Sequence, residues 1–426
     1  MNIGRGLLGM LFLLIVCFIF SNNRRAINWK VVLIGIVAQV SFALGVLRVD
    51  FIKIFFSWVS RIFVEVIDVG HKGAEFMFNR LADPLGAWGY IFAVQVLPII
   101  IFFSALSAVL YYLGILQKVV YFFAWMLYKL GISGPESVST AANIFLGQTE
   151  APLMIRPFIE RLNRSEMLCI MVGGMANTAG SVLAAYVGFL GGDDPVQRQY
   201  FALHMMSQSI MSAPAAIVVS KMLFPQTEPV IRELKIPKEK IGDNFLDALS
   251  LGTTDGLKLA VNVAAMLIVF TALMYLCNWM LGSIGYWFNI NDNIAAMTSG
   301  RYNSLSLQLI LGYIFSPIAW LIGINSNEMV QVGQLLGEKT ILNEFVAYAS
   351  FGQMKNSGII SDPKSILITT YALCGFANFA SIGIQIGGIS QLAPNQRKNL
   401  TELGLKALLG GTIACLMCGC IAGAVA

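Results

Sequence analysis

The chain has 426 residues, 57% hydrophobic and 12% charged, with a net charge of +5. A soluble globular domain carries about twice that charged fraction, so this composition points to a polytopic helical membrane protein lying in a lipid bilayer. The cations form no basic patch with interleaved aromatics, which excludes a nucleic-acid partner.

The first apolar run, residues 6–20, has no small-residue cleavage site before Ser21-Asn22-Asn23-Arg24-Arg25, so it reads as a retained helix over 7–20. Arg24, Arg25 and Lys30 place the following loop in the cytoplasm and the N-terminus outside. A second helix covers 31–47. Residues 51–66 mix aromatics with Lys53, Arg61 and Glu65, the pattern of a helix lying along the interface. A third helix covers 90–116, and a short aromatic segment over 118–130 is again interfacial. Then comes a weakly polar arm, 139–146, a polar knot of Gly147-Gln148-Thr149-Glu150 closed by Pro152, and an apolar arm, 153–159. Neither arm approaches the ~20 residues of a spanning helix, so the pair reads as a re-entrant hairpin. Irregular backbone at membrane depth survives only inside protein or beside a watery cavity, and a carboxylate there marks a functional site.

Arg156, Arg161 and Arg164 put both ends of this hairpin in the cytoplasm. A fourth helix, 167–190, has a polar middle around Gly174-Met175-Ala176-Asn177-Thr178-Ala179, and Gly191-Gly192-Asp193-Asp194 makes an outside turn. The fifth covers 200–223. Arg232, Lys235, Lys238 and Lys240 mark a cytoplasmic loop. The sixth, 248–281, is long enough to cross at a steep tilt. The second half repeats the first. An apolar arm, 309–324, ends in Asn325-Ser326-Asn327-Glu328, and a second arm, 330–351, carries Asn343-Glu344. No Lys or Arg lies in the neighbouring helix middles to pair with Glu344. A seventh helix, 366–389, has the polar middle Gly375-Phe376-Ala377-Asn378-Phe379-Ala380, matching that of the fourth. An eighth follows over 403–426. The intervening crossings are odd in number, so the repeats are inverted, the mark of a secondary transporter with a midplane site.

Other chemistry finds little support. Cys415 and Cys418 form a lone C-x-x-C, and His71 and His204 are the only histidines, so the cysteines are expected as small apolar filler and no cofactor or histidine-based metal centre is expected. Glu150 and Glu344 could serve as the carboxylate pair of a membrane-embedded enzyme, but no nucleophile motif or phosphate-cradling loop accompanies them. A passive channel is disfavoured because no helix carries a continuous polar stripe.

The runs Gly147-Gln148-Thr149-Glu150-Ala151-Pro152-Leu153, Asn343-Glu344-Phe345-Val346-Ala347-Tyr348 and Cys374-Gly375-Phe376-Ala377-Asn378 resemble the concentrative nucleoside transporter family, and the similarity covers nearly the whole chain in order. The resemblance implies an all-α membrane protein of eight transmembrane helices, two opposed re-entrant hairpins and inverted repeats, assembled as a homotrimer. It implies a scaffold in 1–116 and 225–300, the latter including the cytoplasmic loop. A transport domain, moving as an elevator, would comprise 117–224 and 301–426. Nucleosides are the implied substrate. By the same resemblance, Gln148 and Thr149 meet the nucleobase edge and Glu150 acts beside them, partly through water. Val182 and Phe376 pack on the base, Leu259 closes the pocket, and Glu344, Asn378 and Ser381 take the sugar hydroxyls. The coupling ion of sodium-coupled members maps to Asn143, the backbone of Leu146, Asn177 and the backbone of Thr178. Asn177 departs from the small hydroxyl usual there, and a proton is the alternative coupling ion.

Overall fold

The computed structural model describes residues 2–82, 91–192, 194–234, 242–298, 300 and 302–425. Tyr90, Asp193, Lys235, Lys238 and Lys240, used above to place a helix start and two loops, lie outside them. No strand occurs among the described residues.

Helices α1 (Asn2–Ile19) and α2 (Trp29–Arg48) realise the first two predicted spans. The segment expected to lie along the interface is one 29-residue helix, α3 (Asp50–Phe78), longer than the predicted 51–66. It continues because Ser60, Val64, Ile67, Gly70 and Ala74 keep one buried stripe at three- and four-residue spacing. The third span is α4 (Phe92–Gln95) and α5 (Leu97–Tyr112), restarted at Pro98. After α6 (Ile115–Tyr128), the first hairpin descends as α7 (Gly134–Ala142) and returns through a 3-10 turn, Ala151–Ile155, into the single turn α8 (Arg156–Ile159). A capping box of Ser133 and Glu136 starts α7, and Glu136 also pairs with buried Lys221.

The fourth span is broken as expected, into α9 (Arg164–Ala176) and α10 (Gly180–Gly191). Next come α11 (Pro195–Leu223), α12 (Phe245–Trp287) and the short α13 (Asn291–Met297). With 43 residues, α12 is about 65 Å long and exceeds the ~30 Å hydrocarbon core even when tilted. The second repeat runs through α14 (Leu307–Leu321), α15 (Met329–Ile341), α16 (Glu344–Asn356), α17 (Pro363–Leu373), α18 (Phe379–Leu392) and α19 (Arg397–Val425). The seventh span is α17–α18, unwound between Cys374 and Asn378.

The second hairpin differs from its sequence reading. Residues 330–351 are not one arm: α15 stops at Leu342, and Asn343 caps α16 by accepting from the Val346 amide at 3.0 Å. The hairpin is therefore α15–α16, with its tip at Leu342-Asn343, and α14 is a helix lying along α15 before it. Asn325-Ser326-Asn327-Glu328 is the turn between α14 and α15. Its Glu328 carboxylate accepts from the Ser361 and Asp362 amides at 2.8 and 3.0 Å, away from the polar centre.

The repeats make the interior. The apolar window of α9–α10 is 94% buried and that of α12 only 11%, so α12 is an outer wall. It seats against α5 through Gly252 and Gly256, a small-xxx-small pair. A Cβ at Gly256 would lie 2.8 Å from Ile101 Cα, so any side chain there would push α12 off α5.

Candidate substrate cavity and ion site

A cavity of about 580 Å³ lies where the first hairpin tip, α10, α12, the second hairpin tip and the α17–α18 break converge. All nine predicted substrate residues line it: Gln148, Thr149 and Glu150 from the first tip, Val182 from α10, Leu259 from α12, Glu344 from the second tip, and Phe376, Asn378 and Ser381 from the break. Local structure explains their convergence. The α7 helix ends at Asn143, so the next seven residues lie in an irregular turn that throws Gln148–Glu150 forward. Asn343 and Asn378 are N-caps, so α16 and α18 both begin at the cavity. Their open N–H groups and positive dipole ends favour a carboxylate there, and Glu344 is the first residue of α16.

The polar groups are tied together. Glu344 Oε2 accepts from Asn378 Nδ2 at 2.6 Å, and Asn378 Oδ1 accepts from the Ser381 amide at 2.8 Å. Across the cavity Gln148 Nε2 donates to Ser381 Oγ at 3.1 Å, while Gln148 Oε1 is buried with no partner among the described residues. Glu150 accepts from the Gly147 amide at 3.3 Å and otherwise stays exposed to the cavity. Thr149 packs against α18, where a Cβ at Gly388 would meet its methyl at 2.9 Å. Such a set offers acceptors and donors to a flat heteroaromatic edge at one end and a hydrogen-bonded carboxylate to hydroxyls at the other.

The residues predicted to hold the coupling ion lie behind the first tip. Asn143 is 1% exposed and packs against Gly173 in the last turn of α9. Its Nδ2 donates to the Ser139 carbonyl at 3.0 Å, and its Oδ1 has no hydrogen-bond partner among the described residues. Asn177 Oδ1 accepts from the Ser212 hydroxyl at 2.5 Å, and its Nδ2 donates to the Gly173 carbonyl at 3.2 Å. A carbonyl oxygen has two lone pairs, so the Ser212 bond leaves one free for a cation. Leu146 and Thr178 are buried beside them, and the Thr178 hydroxyl lies 3.5 Å from Cys374 Sγ.

The two unwound segments cross directly. The Phe376 amide donates to the Asn177 carbonyl at 3.3 Å. Gln208 Nε2 of α11 donates to both the Ala176 and Cys374 carbonyls, at 3.2 and 2.6 Å. Cys415 Sγ of α19 reaches the same two carbonyls at 3.6 and 3.3 Å. Cys418 Sγ accepts from Gln39 Nε2 at 3.2 Å. These thiols are therefore more than apolar filler, although all seven cysteines are free.

Sequence reasoning missed several participants. Asp255 and Asn262 of α12 line the cavity, and their signal was a polar residue inside an otherwise apolar helix. Gln208 and Ser212 gave the same signal in α11. Lys339, buried in the last turn of α15, was also overlooked, although it forms no ion pair with Glu344 among the described residues.

The profile described as the Na+ dependent nucleoside transporter C-terminus matches residues 204–423, its N-terminal counterpart matches 8–81, and a nucleoside-recognition Gate profile matches 93–193. The chain belongs to the sodium-dependent, concentrative nucleoside transporter family. It is accordingly a transporter and not an enzyme. An uncharacterized transporter of Haemophilus influenzae is 43% identical over 430 residues, 99% of this chain and 98% of that protein. The rat sodium/nucleoside cotransporter 1 is 37% identical over 97% of this chain, which spans 62% of the rat protein. Among solved structures, CNTnw in an inward-facing substrate-bound state is 37% identical with a TM-score of 0.89, covering 100% of this chain and 98% of that one. The transporter is thus an all-α membrane protein, with the fourth and seventh predicted spans each broken into two helices.

Proposed function

We propose that this transporter is a sodium-coupled, secondary active importer of nucleosides in the cell membrane. The observation that carries this reading is the convergence of all nine residues on one cavity between the two hairpin tips. Gln148 and Thr149 bind the base edge, with Glu150 beside them. Val182, Phe376 and Leu259 enclose the base, and Glu344, Asn378 and Ser381 hold the ribose hydroxyls. Sodium, carried as a co-substrate, sits at Asn143, the Leu146 carbonyl, Asn177 and the Thr178 backbone. The orphaned buried Oδ1 of Asn143 fits a hard cation that prefers oxygen ligands.

Residues 117–224 and 301–426 form the moving body and residues 1–116 and 225–300 the scaffold, and alternating access follows an elevator course. The exposed apolar length of α12 suits contact with other copies in a homotrimer. Both termini face outside, because Arg24, Arg25, Lys30, Arg156, Arg161, Arg164, Arg232, Arg397 and Lys398 fall on one side of the crossings. Labelling of a cysteine at residue 2 from the outer face is expected, and labelling only from the cytoplasmic face would overturn this topology.

The deciding experiment is uptake of a nucleoside panel into proteoliposomes with sodium and proton gradients imposed separately. Accumulation driven by sodium supports the reading. Accumulation driven only by protons would replace sodium with a proton, and uptake that never concentrates the nucleoside under either gradient would remove the secondary active reading.

The ion and the substrate share the first tip, so their affinities should be linked. Sodium is expected to tighten nucleoside binding and nucleoside to tighten sodium by the same factor, a coupling of ~1–3 kcal/mol. Asn143→Ala should erase this linkage more than it weakens nucleoside binding itself. Asn177→Ser should keep it. Calorimetry in sodium and in choline, at two pH values, reads both variants, and an affinity that follows pH but ignores sodium would sink the site.

A further inference from the structure

Lys339 lies in the last turn of α15 and is 2% exposed. The other lysine buried to this degree among the described residues, Lys221, is paired with Glu136, whereas Lys339 makes no ion pair there. Its Nζ donates to the Ala372 carbonyl at 2.9 Å, in the last turn of α17. The Cys415 thiol lies beside it, and Glu344 stands five residues further along the chain, across the hairpin tip, within electrostatic reach. An intramembrane cation is expensive unless something nearby favours positive charge. The C-terminal end of a half-helix does so, because its last carbonyls lack helical donors and carry the negative end of the dipole.

The first repeat has the same construction with a different occupant. There Asn143, at the end of α7, packs on the last turn of α9 and presents an oxygen with no partner. Asn143 stands to α7 and α9 as Lys339 stands to α15 and α17. The two half-helix ends also meet, since Gln208 and Cys415 each reach the Ala176 and Cys374 carbonyls.

We propose that Lys339 is a tethered cation, its ammonium filling in the second repeat the place that the first repeat leaves for an exchangeable ion. It neutralises the end of α17, holds α15 against it, and so positions the tip that presents Glu344. One repeat is then charged permanently and the other only when an ion binds, so a single inorganic cation accompanies each nucleoside. The comparison between repeats rests on the sodium reading of the Asn143 site. The charge of Lys339 is tested without it.

The experiment is nucleoside binding to the purified full-length chain in detergent, with sodium or methylammonium added against choline. The parent should titrate with sodium as one ion and ignore methylammonium. Lys339→Met keeps the stem and removes the charge, and it should bind nucleoside at least about tenfold more weakly. Lys339→Arg should keep the parent's affinity and sodium dependence. Lys339→Ala makes room for a free cation. It should lose binding in choline and regain it with methylammonium, or with sodium along a steeper titration than the parent's. Parent-like affinity in Lys339→Met would overturn the proposal. So would Lys339→Ala protein that melts like the parent yet is restored by neither cation. A parent indifferent to sodium would sink the Asn143 site instead, while the Met and Ala variants still decide whether the Lys339 charge is used.

Discussion

Glu344→Gln is expected to weaken nucleoside binding by roughly ten- to a hundredfold while the protein still assembles, the loss of a charge-assisted acceptor contributing about 1.5–3 kcal/mol. The carboxylate already accepts from Asn378 Nδ2 at 2.6 Å, and in the role proposed for it the remaining lone pairs would accept from ribose hydroxyls. A glutamine must either turn its oxygen to Asn378 and present an NH2 to the ribose, or set two NH2 groups against each other. It also gives up the favourable interaction of a negative charge with the start of α16. Assembly should survive because the substitution keeps side-chain volume and α16 retains its Asn343 cap. Calorimetric titration with nucleoside measures the effect, and near-parent affinity would remove Glu344 from the ribose site.

The second large effect is expected at Gly375. Its φ is +151°, and a Cβ there would lie 2.6 Å from Cys415 Sγ and 2.8 Å from the Ala176 carbonyl oxygen. Backbone strain and overpacking each cost about 1–3 kcal/mol, so Gly375→Ala should destabilise the fold by about 2–6 kcal/mol. The nearer obstacle, a thiol, has few ways to move, and the carbonyl belongs to the end of α9. Thermal unfolding in detergent should show a lower melting temperature together with weakened nucleoside binding, because Phe376 and Asn378 follow Gly375 directly. An unchanged melting temperature would mean that the two broken helices do not cross as closely as described.

Much of this site was legible because its chemistry is local. Gly147 and Pro152 interrupt an apolar run around Gln148-Thr149-Glu150, and Asn177 and Asn378 lie in matching short motifs, so the first hairpin and both broken spans could be located by position along the chain. The second tip was misread for a physical reason. Hydropathy favours the polar cluster Asn325–Glu328, yet polarity alone does not separate a turn outside the membrane from one at its centre. The actual break, Leu342-Asn343, has no glycine or proline; it exists because Asn343 caps α16. Matching motifs also concealed a difference between the repeats, since Asn177 ends α9 whereas Asn378 begins α18. Lys339 escaped notice because one charge hardly alters the average over a helix. Its importance lies in what it faces, the end of α17, about thirty residues away in sequence.

The two hydrogen bonds donated by Gln208 bear on dividing the molecule. One amide nitrogen secures a carbonyl of each repeat, Ala176 in the first and Cys374 in the second. A chain cut between α11 and α12 would carry Gln208 on one fragment and half of its obligations on the other. Alone, the C-terminal fragment would leave the Cys374 carbonyl with only the weak thiol donor of Cys415, and the N-terminal fragment would hold an amide with one acceptor missing. Gln208 thus makes each fragment's polar centre depend in part on its counterpart, so the two halves are expected to fold together and not as independently stable modules.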